Sequence, residues 1–372
     1  MNVKMMASFG FFILIYSLLN GYIGWNLFVW MEATFQLNTL WPLVVLMIFL
    51  SYAYLFGQVF KSLSLLKTIG ACWFACFQFG LIVFPIVNLL YWIVSLFAVP
   101  GEQFVIIAGF IVFLLFLSYI GIGLYNAYQP IVKTYQFQVP RKNAKRRSLR
   151  LAIASDMHFG GLSGKNHARR LVRSINKINA DLVLFPGDLV DDDPDVFKQK
   201  RMDRTLKQIR SKLGIYAVLG NHEYYGGKIK ELTKIMKHIN VHILQDESVL
   251  VDNSLQIIGR KDKTDRKRKT IDELQLSAGQ SHPVLVLDHQ PTDLEAIMKS
   301  GADILLSGHT HRGQIAPNQW ITKKIFELDW GYKKKENLHV VVSSGFGFWG
   351  PPIRIGSRSE VVQIDVTFID SP

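Results

Sequence analysis

The sequence predicts a four-helix transmembrane domain followed by an α/β layered domain. Two observations carry this: charge nearly vanishes from the first third of the chain, and short β-branched runs alternate with helix-period stretches through the rest. With 49% hydrophobic residues in 372, there is apolar material for both membrane spans and a soluble core. Residues 1–130 carry Lys4, Lys61, Lys67, Glu32 and Glu102 as their only charges. All 10 histidines and nearly all of the 42 basic and 29 acidic residues lie beyond them.

Four apolar stretches, at about residues 9–30, 40–60, 69–99 and 104–125, each supply the roughly 20 residues a spanning helix needs. A cleaved signal peptide would be one short stretch with a small-residue cleavage site; the first stretch is longer than that, and three more follow it. Lysine and arginine in short loops favour the cytoplasmic side. Lys4 precedes the first stretch, Lys61 and Lys67 separate the second from the third, and Arg141, Lys142, Lys145, Arg146, Arg147 and Arg150 follow the fourth, while Glu32 and Glu102 occupy the other two loops. That pattern predicts a multi-pass protein of the cell membrane with both ends, and therefore the second domain, in the cytoplasm. Cys72 and Cys76 stand one helical turn apart in the third stretch and read as small packing residues, without a function assigned.

Residues 129–148, with Pro130, Pro140 and a basic run, read as a juxtamembrane linker on the membrane surface. The run is either attracted to anionic lipid or simply a topology signal. From residue 149 to 372 the pattern is that of an α/β domain. Leu149–Ser155, Leu182–Pro186, Tyr216–Leu219, Val284–Leu287, Ile304–Ser307, Val340–Ser343 and Glu360–Phe368 are expected as strands; His167–Ile178, Phe197–Leu213, Lys228–His238 and Asp293–Met298 are expected as helices.

Five blocks place Asp, Asn or His just after a buried strand: SDMHFG (Ser155–Gly160), GDLVDDD (Gly187–Asp193), GNHE (Gly220–Glu223), LDHQP (Leu287–Pro291) and SGHTH (Ser307–His311). Ligands of open α/β sheets gather beyond the carboxyl ends of the strands, so the five clusters should converge. Carboxylate, imidazole and amide oxygen without thiolate suit a pair of borderline divalent ions such as Mn, Fe or Zn rather than a structural zinc. Two such ions about 3.5–4 Å apart would neutralise a phosphodiester and generate hydroxide near neutral pH. Any one block alone is unspecific, since a histidine after a strand is more often a hydrogen-bonded structural residue. The ordered set of Asp156, His158, Asp188, Asn221, His222, His289, His309 and His311 is far harder to explain that way.

The order D-x-H, GD, GNHE, H, GHTH resembles the calcineurin-like metallophosphoesterase superfamily. The four-span leader with GHTHRGQI (Gly308–Ile315) is similar to its bacterial transmembrane branch. The resemblance covers about residues 149–350 and implies a four-layer fold, a β-sandwich flanked by helices. It also implies one metal on Asp156, His158 and His311, a bridge through Asp188, and a second metal on Asn221, His289 and His309. By the same resemblance His222 meets the leaving-group oxygen and Asp191 orients it. The phosphoprotein phosphatases of that superfamily have Arg where this chain has Asp192, which weighs against a phosphoprotein substrate. Arg312 either supplies a replacement positive charge or makes a surface salt bridge.

Two further features bear on substrate. Arg260–Lys269 holds seven basic residues in ten, either an attractor for an anionic substrate or a solvated loop. GFGFWGPP (Gly345–Pro352) either lines the cleft or touches the bilayer through Phe346, Phe348 and Trp349, or packs under the sheet. The leading expectation is a metal-dependent hydrolase of a phosphodiester or pyrophosphate; the resemblance extends to enzymes of lipid A assembly and so to a lipid-linked substrate, while a soluble nucleotide remains open. A tethered metal- or nucleotide-binding sensor without turnover is the rival. The absence of ionisable groups deep in the spans argues against transport. Nucleic-acid binding ranks last despite a pI of 9.6, because no recognition module is visible.

Overall fold

The computed structural model describes residues 3–60, 64–278 and 281–370. The chain divides into two compact units, residues 1–122 and 123–372. The first is built from helices α1 (Val3–Phe35), α2 (Trp41–Val59), α3 (Ser64–Ser95) and the body of α4 (Glu102–Tyr128). Each is long and apolar enough to cross a membrane. Large apolar side chains such as Phe12, Trp41 and Leu114 face outward, while Ile23, Met47, Trp73, Phe84 and Val112 pack inside. The buried Asn20 amide accepts the Trp73 indole N–H at 2.9 Å, an internal partnering of the kind that lipid surroundings favour. Lys67 lies in the first turn of α3 rather than in a loop, and Lys61 lies outside the described residues.

The second unit holds strands β1 (Ile131–Pro140), β2 (Ser148–Ile153), β3 (Leu182–Pro186), β4 (Ile215–Val218), β5 (Val241–Ile243), β6 (Glu247–Val251), β7 (Leu255–Gly259), β8 (Val284–Leu287), β9 (Ile304–Ser307), β10 (Gly331–Lys335), β11 (Leu338–Val342) and β12 (Glu360–Ile369). Its helices are α5 (Lys165–Ile178), α6 (Pro194–Gln199), α7 (Met202–Leu206), α8 (Asn221–Gly226), α9 (Ile229–His238), α10 (Ile271–Ala278), α11 (Leu294–Lys299) and α12 (Gln319–Ile325). Two six-stranded sheets form, ordered β1-β12-β2-β3-β4-β5 and β10-β11-β9-β8-β7-β6.

Side-chain alternation explains the layers. Leu151, Leu184, Val218, Ile257, Leu285, Leu306 and Ile364 fill the space between the sheets. Their neighbours Ala152, Val183 and Ala217 face Leu171, Phe197, Met202 and Leu232 of the helices outside the first sheet. On the second sheet Ile258, Val286 and Leu305 face Leu274, Leu294 and Ile297. The result is the expected four-layer sandwich with helices on both outer faces.

Three expectations are corrected. Residues 131–140 are not a surface linker but an edge strand, paired parallel to β12 from Ile131–Glu360 to Pro140–Ile369. Its alternation is visible in Tyr135, Phe137 and Val139, and Pro140 is tolerated because it ends an edge strand. The basic run after it is engaged within the unit: Lys142 pairs with Asp303 at 2.7 Å, Arg150 with Asp365 at 2.7 Å, Arg146 with Asp252, and both Arg141 and Arg147 with Asp370. Lastly, the helix expected over Phe197–Leu213 is two short helices with Arg201 in the left-handed region between them (φ 54°). Both pieces face one core through Phe197, Met202 and Leu206, so the hydrophobic period ran through the break.

Candidate metal centre

The parallel strands β2, β3 and β4 of one sheet, and β8 and β9 of the other, end at the same place. Asp156 and His158 follow β2, Asp188 follows β3, Asn221 and His222 open α8 after β4, His289 follows β8, and His309 and His311 follow β9. The structure thus brings together all eight residues singled out by the ordered motifs. Asp156, His158, Asp188, His309 and His311 all have φ between 43° and 72°. Such backbone costs about 1–3 kcal/mol per residue and is kept where a site requires it.

The donor atoms fall into two main groups. Asp156, His158 and His311 bring one ligand-type atom each to within 4.8 Å of one another, and Asp188, His289 and His309 do the same. Asp188 stands between them, with Oδ2 3.6 Å from His158 Nε2 and 3.2 Å from His289 Nε2. Asn221 Oδ1 lies 2.9 Å from His309 Nδ1 and 3.2 Å from His289 Nε2. His289 Nδ1 donates to the Pro186 carbonyl at 2.8 Å, which fixes the ring and turns Nε2 to the site. There is no room for more: a Cβ on Gly220 would lie 2.2 Å from Asp188 Oδ1, and one on Gly308 2.2 Å from Asp156 Oδ2.

Electrostatics fit divalent cations. Burial holds His158 down to about 3 and His309 to about 4, and drives His311 well below the ordinary imidazole range, so these rings are neutral with lone pairs available. Burial pushes Asp156 up to about 6, with the Asp188 charge adding to it against the opposing pull of His289. Against burial, the Asp188 carboxylate raises His289 well above the ordinary imidazole range, so one cationic ring already faces the two buried carboxylates, while the three neutral rings offer the lone pairs that a metal cation would take. The donor set, oxygen and nitrogen without sulfur, suits Mn, Fe or Zn.

His222 stands beside the first group, its ring edge-on to that of His158 with centroids 4.6 Å apart. Its Nδ1 is 2.7 Å from Asp192 Oδ1. Burial opposes its charged form, yet Asp192 and Asp188 overcome that and lift it to about 9. Asp191, expected to orient it, brings a carboxylate oxygen into a third cluster with His158 and His222, and Asp192 accepts a hydrogen bond from His222 Nδ1. The residue that stands where the resemblance has Arg therefore also holds His222. Arg312 makes no ion pair within 4 Å among the described residues; its guanidinium stacks 3.8 Å from the Trp330 ring. Of the 260–269 run, Arg260 and Arg268 are turned inward onto Asp288, and Lys261 pairs with Asp265. Phe346 and Phe348 are buried, leaving Trp349 exposed.

Sequence reasoning missed two supporting residues. Glu223, buried, accepts from Gly220 N at 2.7 Å, Asp188 N at 3.2 Å and Val190 N at 3.0 Å, tying the GNHE turn to the Asp188 loop. Its position three residues after Gly220 is the spacing of a capping box and was the available signal. Arg354, fully buried, had no such signal. It donates to Gly347 O and Ser344 O at 2.7 Å each, and its Nη2 lies 3.2 Å from His311 Nδ1. The loop it grips donates from Gly347 N to Asp156 O at 2.8 Å. Arg354→Met is therefore expected to strand buried carbonyls at a cost of about 3 kcal/mol, read by thermal unfolding. It should also weaken metal binding about 10–100-fold, read by metal titration.

A family model for calcineurin-like phosphoesterases matches residues 149–313. A Helicobacter pylori protein named an uncharacterized metallophosphoesterase is 34% identical over 224 residues, 59% of this chain and 60% of its own length. A Bos taurus transmembrane protein with metallophosphoesterase domain is 31% identical over 264 residues, 65% of this chain and 59% of its own. A Campylobacter jejuni protein named an uncharacterized metallophosphoesterase is 31% identical over 262 residues, 69% and 68% respectively. This chain thus spans about 60% of the length of the first two of these relatives.

Proposed function

We propose that this chain, which belongs to the calcineurin-like metallophosphoesterase family, is a membrane-anchored hydrolase of phosphodiesters or pyrophosphates, acting on a lipid-linked substrate at the cytoplasmic face. The observation that carries the reading is the meeting of two buried oxygen-and-nitrogen donor groups with Asp188 between them. Asp156, His158 and His311 would hold one divalent cation, Asn221, His289 and His309 the second, and Asp188 both. Bound there, such a pair supplies positive charge against the phosphate and makes water acidic enough to act near neutral pH.

The protein's own groups would do the rest. His222, kept charged by Asp192, would hand its proton to the departing oxygen, and Asp192 returns it to the same orientation for the next cycle. Arg312, held flat against Trp330, would bring a fixed positive charge to the mouth of the site. Absence of the phosphatase-type Arg at position 192 supports a diester or pyrophosphate over a phosphoprotein. Four candidate spans and the lysines flanking them support anchoring and the cytoplasmic side.

The test is hydrolysis of bis-p-nitrophenyl phosphate and p-nitrophenyl phosphate by the full chain in lipid nanodiscs with added Mn²⁺. Faster turnover of the diester, stopped by a chelator and restored by metal, is expected. A chain that binds two metals yet turns over neither compound would favour a sensor that does not cut.

A further inference from the structure

One surface of the second unit is built unlike the rest. Helix α12 buries none of its side chains: Trp320 is 72% exposed, Ile321 58% and Ile325 66%, with Lys323 and Lys324 exposed among them. Trp349, 56% exposed, belongs to the same scaffold. The Gln314 side chain donates to Trp349 O at 2.9 Å and accepts from Trp349 N at 2.8 Å, so an uncovered indole projects from backbone held on both sides. Gln319, next to Trp320, donates to Ile355 O at 2.8 Å, and Ile355 N donates to Gln314 O at 2.9 Å.

The same scaffold reaches the point where the chain leaves its last apolar helix. Arg354 N donates to Gly123 O at 3.1 Å, Asn126 Nδ2 donates to Arg354 O at 3.1 Å, and Ser359 Oγ donates to Ala127 O at 2.6 Å. Residues 123–128, 353–359 and 314–319 therefore form one hydrogen-bonded strip of this unit. It runs from the end of a candidate span to α12. Phe326, the residue directly after α12, packs edge-on to His309 at 5.9 Å and so joins this helix to the rim of the metal centre.

Tryptophan, isoleucine and lysine together are the composition of a surface that lies at the headgroup level of a bilayer, rings in the interface and ammonium groups on lipid phosphates. We propose that α12 and Trp349 form a docking surface for an anionic phospholipid bilayer, and that it holds the mouth of the metal centre against the lipid headgroups. This deepens the lipid-linked reading and rests on its anchoring half alone.

The test uses the full chain carrying Cys72→Ala and Cys76→Ala, with a single cysteine introduced by Trp320→Cys, Ile325→Cys or, as control, Lys237→Cys on α9. α9 packs beside β5, at the far edge of the first sheet from β1. Each is labelled with an environment-sensitive fluorophore and placed in phosphatidylglycerol nanodiscs containing doxyl-labelled lipid. Co-elution with the discs reports anchoring, and quenching reports docking. Quenching at 320 and 325 about threefold above that at 237 is expected, falling to the control level when Lys323→Glu and Lys324→Glu are added. Quenching at 320 and 325 no greater than at 237 in a chain that co-elutes overturns the proposal, as does a fluorophore shielded there without lipid quenching, which would mean protein covers the patch. Neither readout depends on turnover, so failure of docking and failure of the hydrolase reading are distinguishable.

Discussion

Asp188→Asn is expected to abolish turnover and metal uptake together while leaving the fold in place. Asp188 stands between the two donor groups, and removing its charge leaves His158 and His289 facing an amide across 3.6 and 3.2 Å. Its other oxygen accepts from His222 N at 3.1 Å, a bond that the asparagine oxygen retains, so α8 keeps its place. Loss of a partner outside the ligand shell costs about 10–100-fold in affinity or activity, and loss of the proposed shared ligand is expected to cost more than the top of that range. Metal content after gel filtration and the diester rate on the same sample check both halves. Wild-type metal content with a wild-type rate would remove Asp188 from the centre.

His222→Ala carries the second large effect, with metal retained. A positioned proton donor is worth about 10²–10⁴ in rate, and that loss is expected in kcat with metal content unchanged. The Asp192 pairing at 2.7 Å makes the two residues one device. Asp192→Asn alone should cost less than His222→Ala, and the double variant should be no slower than His222→Ala by itself, because the orienting group has nothing left to orient. Fully additive losses would show that Asp192 acts elsewhere. A leaving group of low pKa, as in p-nitrophenyl esters, needs little protonation, so the deficit should widen on an alkyl phosphodiester.

What the sequence revealed followed the physics of short range. The spans are legible because lipid tolerates almost no charge over the length of a helix, and the blocks of the centre are legible because each is a strand followed within three residues by its polar group. The centre's supports were hidden for the opposite reason. Arg354 lies 43 residues after the His311 that it approaches, and its partners are backbone carbonyls, which carry no residue identity. Asp192 and Asp191 are adjacent acids, and only the turn after Val190 brings both of them to His222. β1 was obscured because two prolines and a basic run outweighed a modest alternation; its partner is β12, too distant for any local pattern to announce.

That pairing also governs the order in which the molecule can be completed. β12 lies between β1 and β2 in the sheet, so the two strands nearest the start of the second unit are joined only through β12 and stay apart until it has been synthesised. At about 5–20 residues per second of translation, a ribosome holds both edges open while everything between them is made. Unpaired edges invite pairing with other chains. A message cut short before Glu360 would therefore yield an anchored, edge-exposed product destined for proteolysis rather than a weaker enzyme, and quality control at the membrane would see the defect before any substrate did.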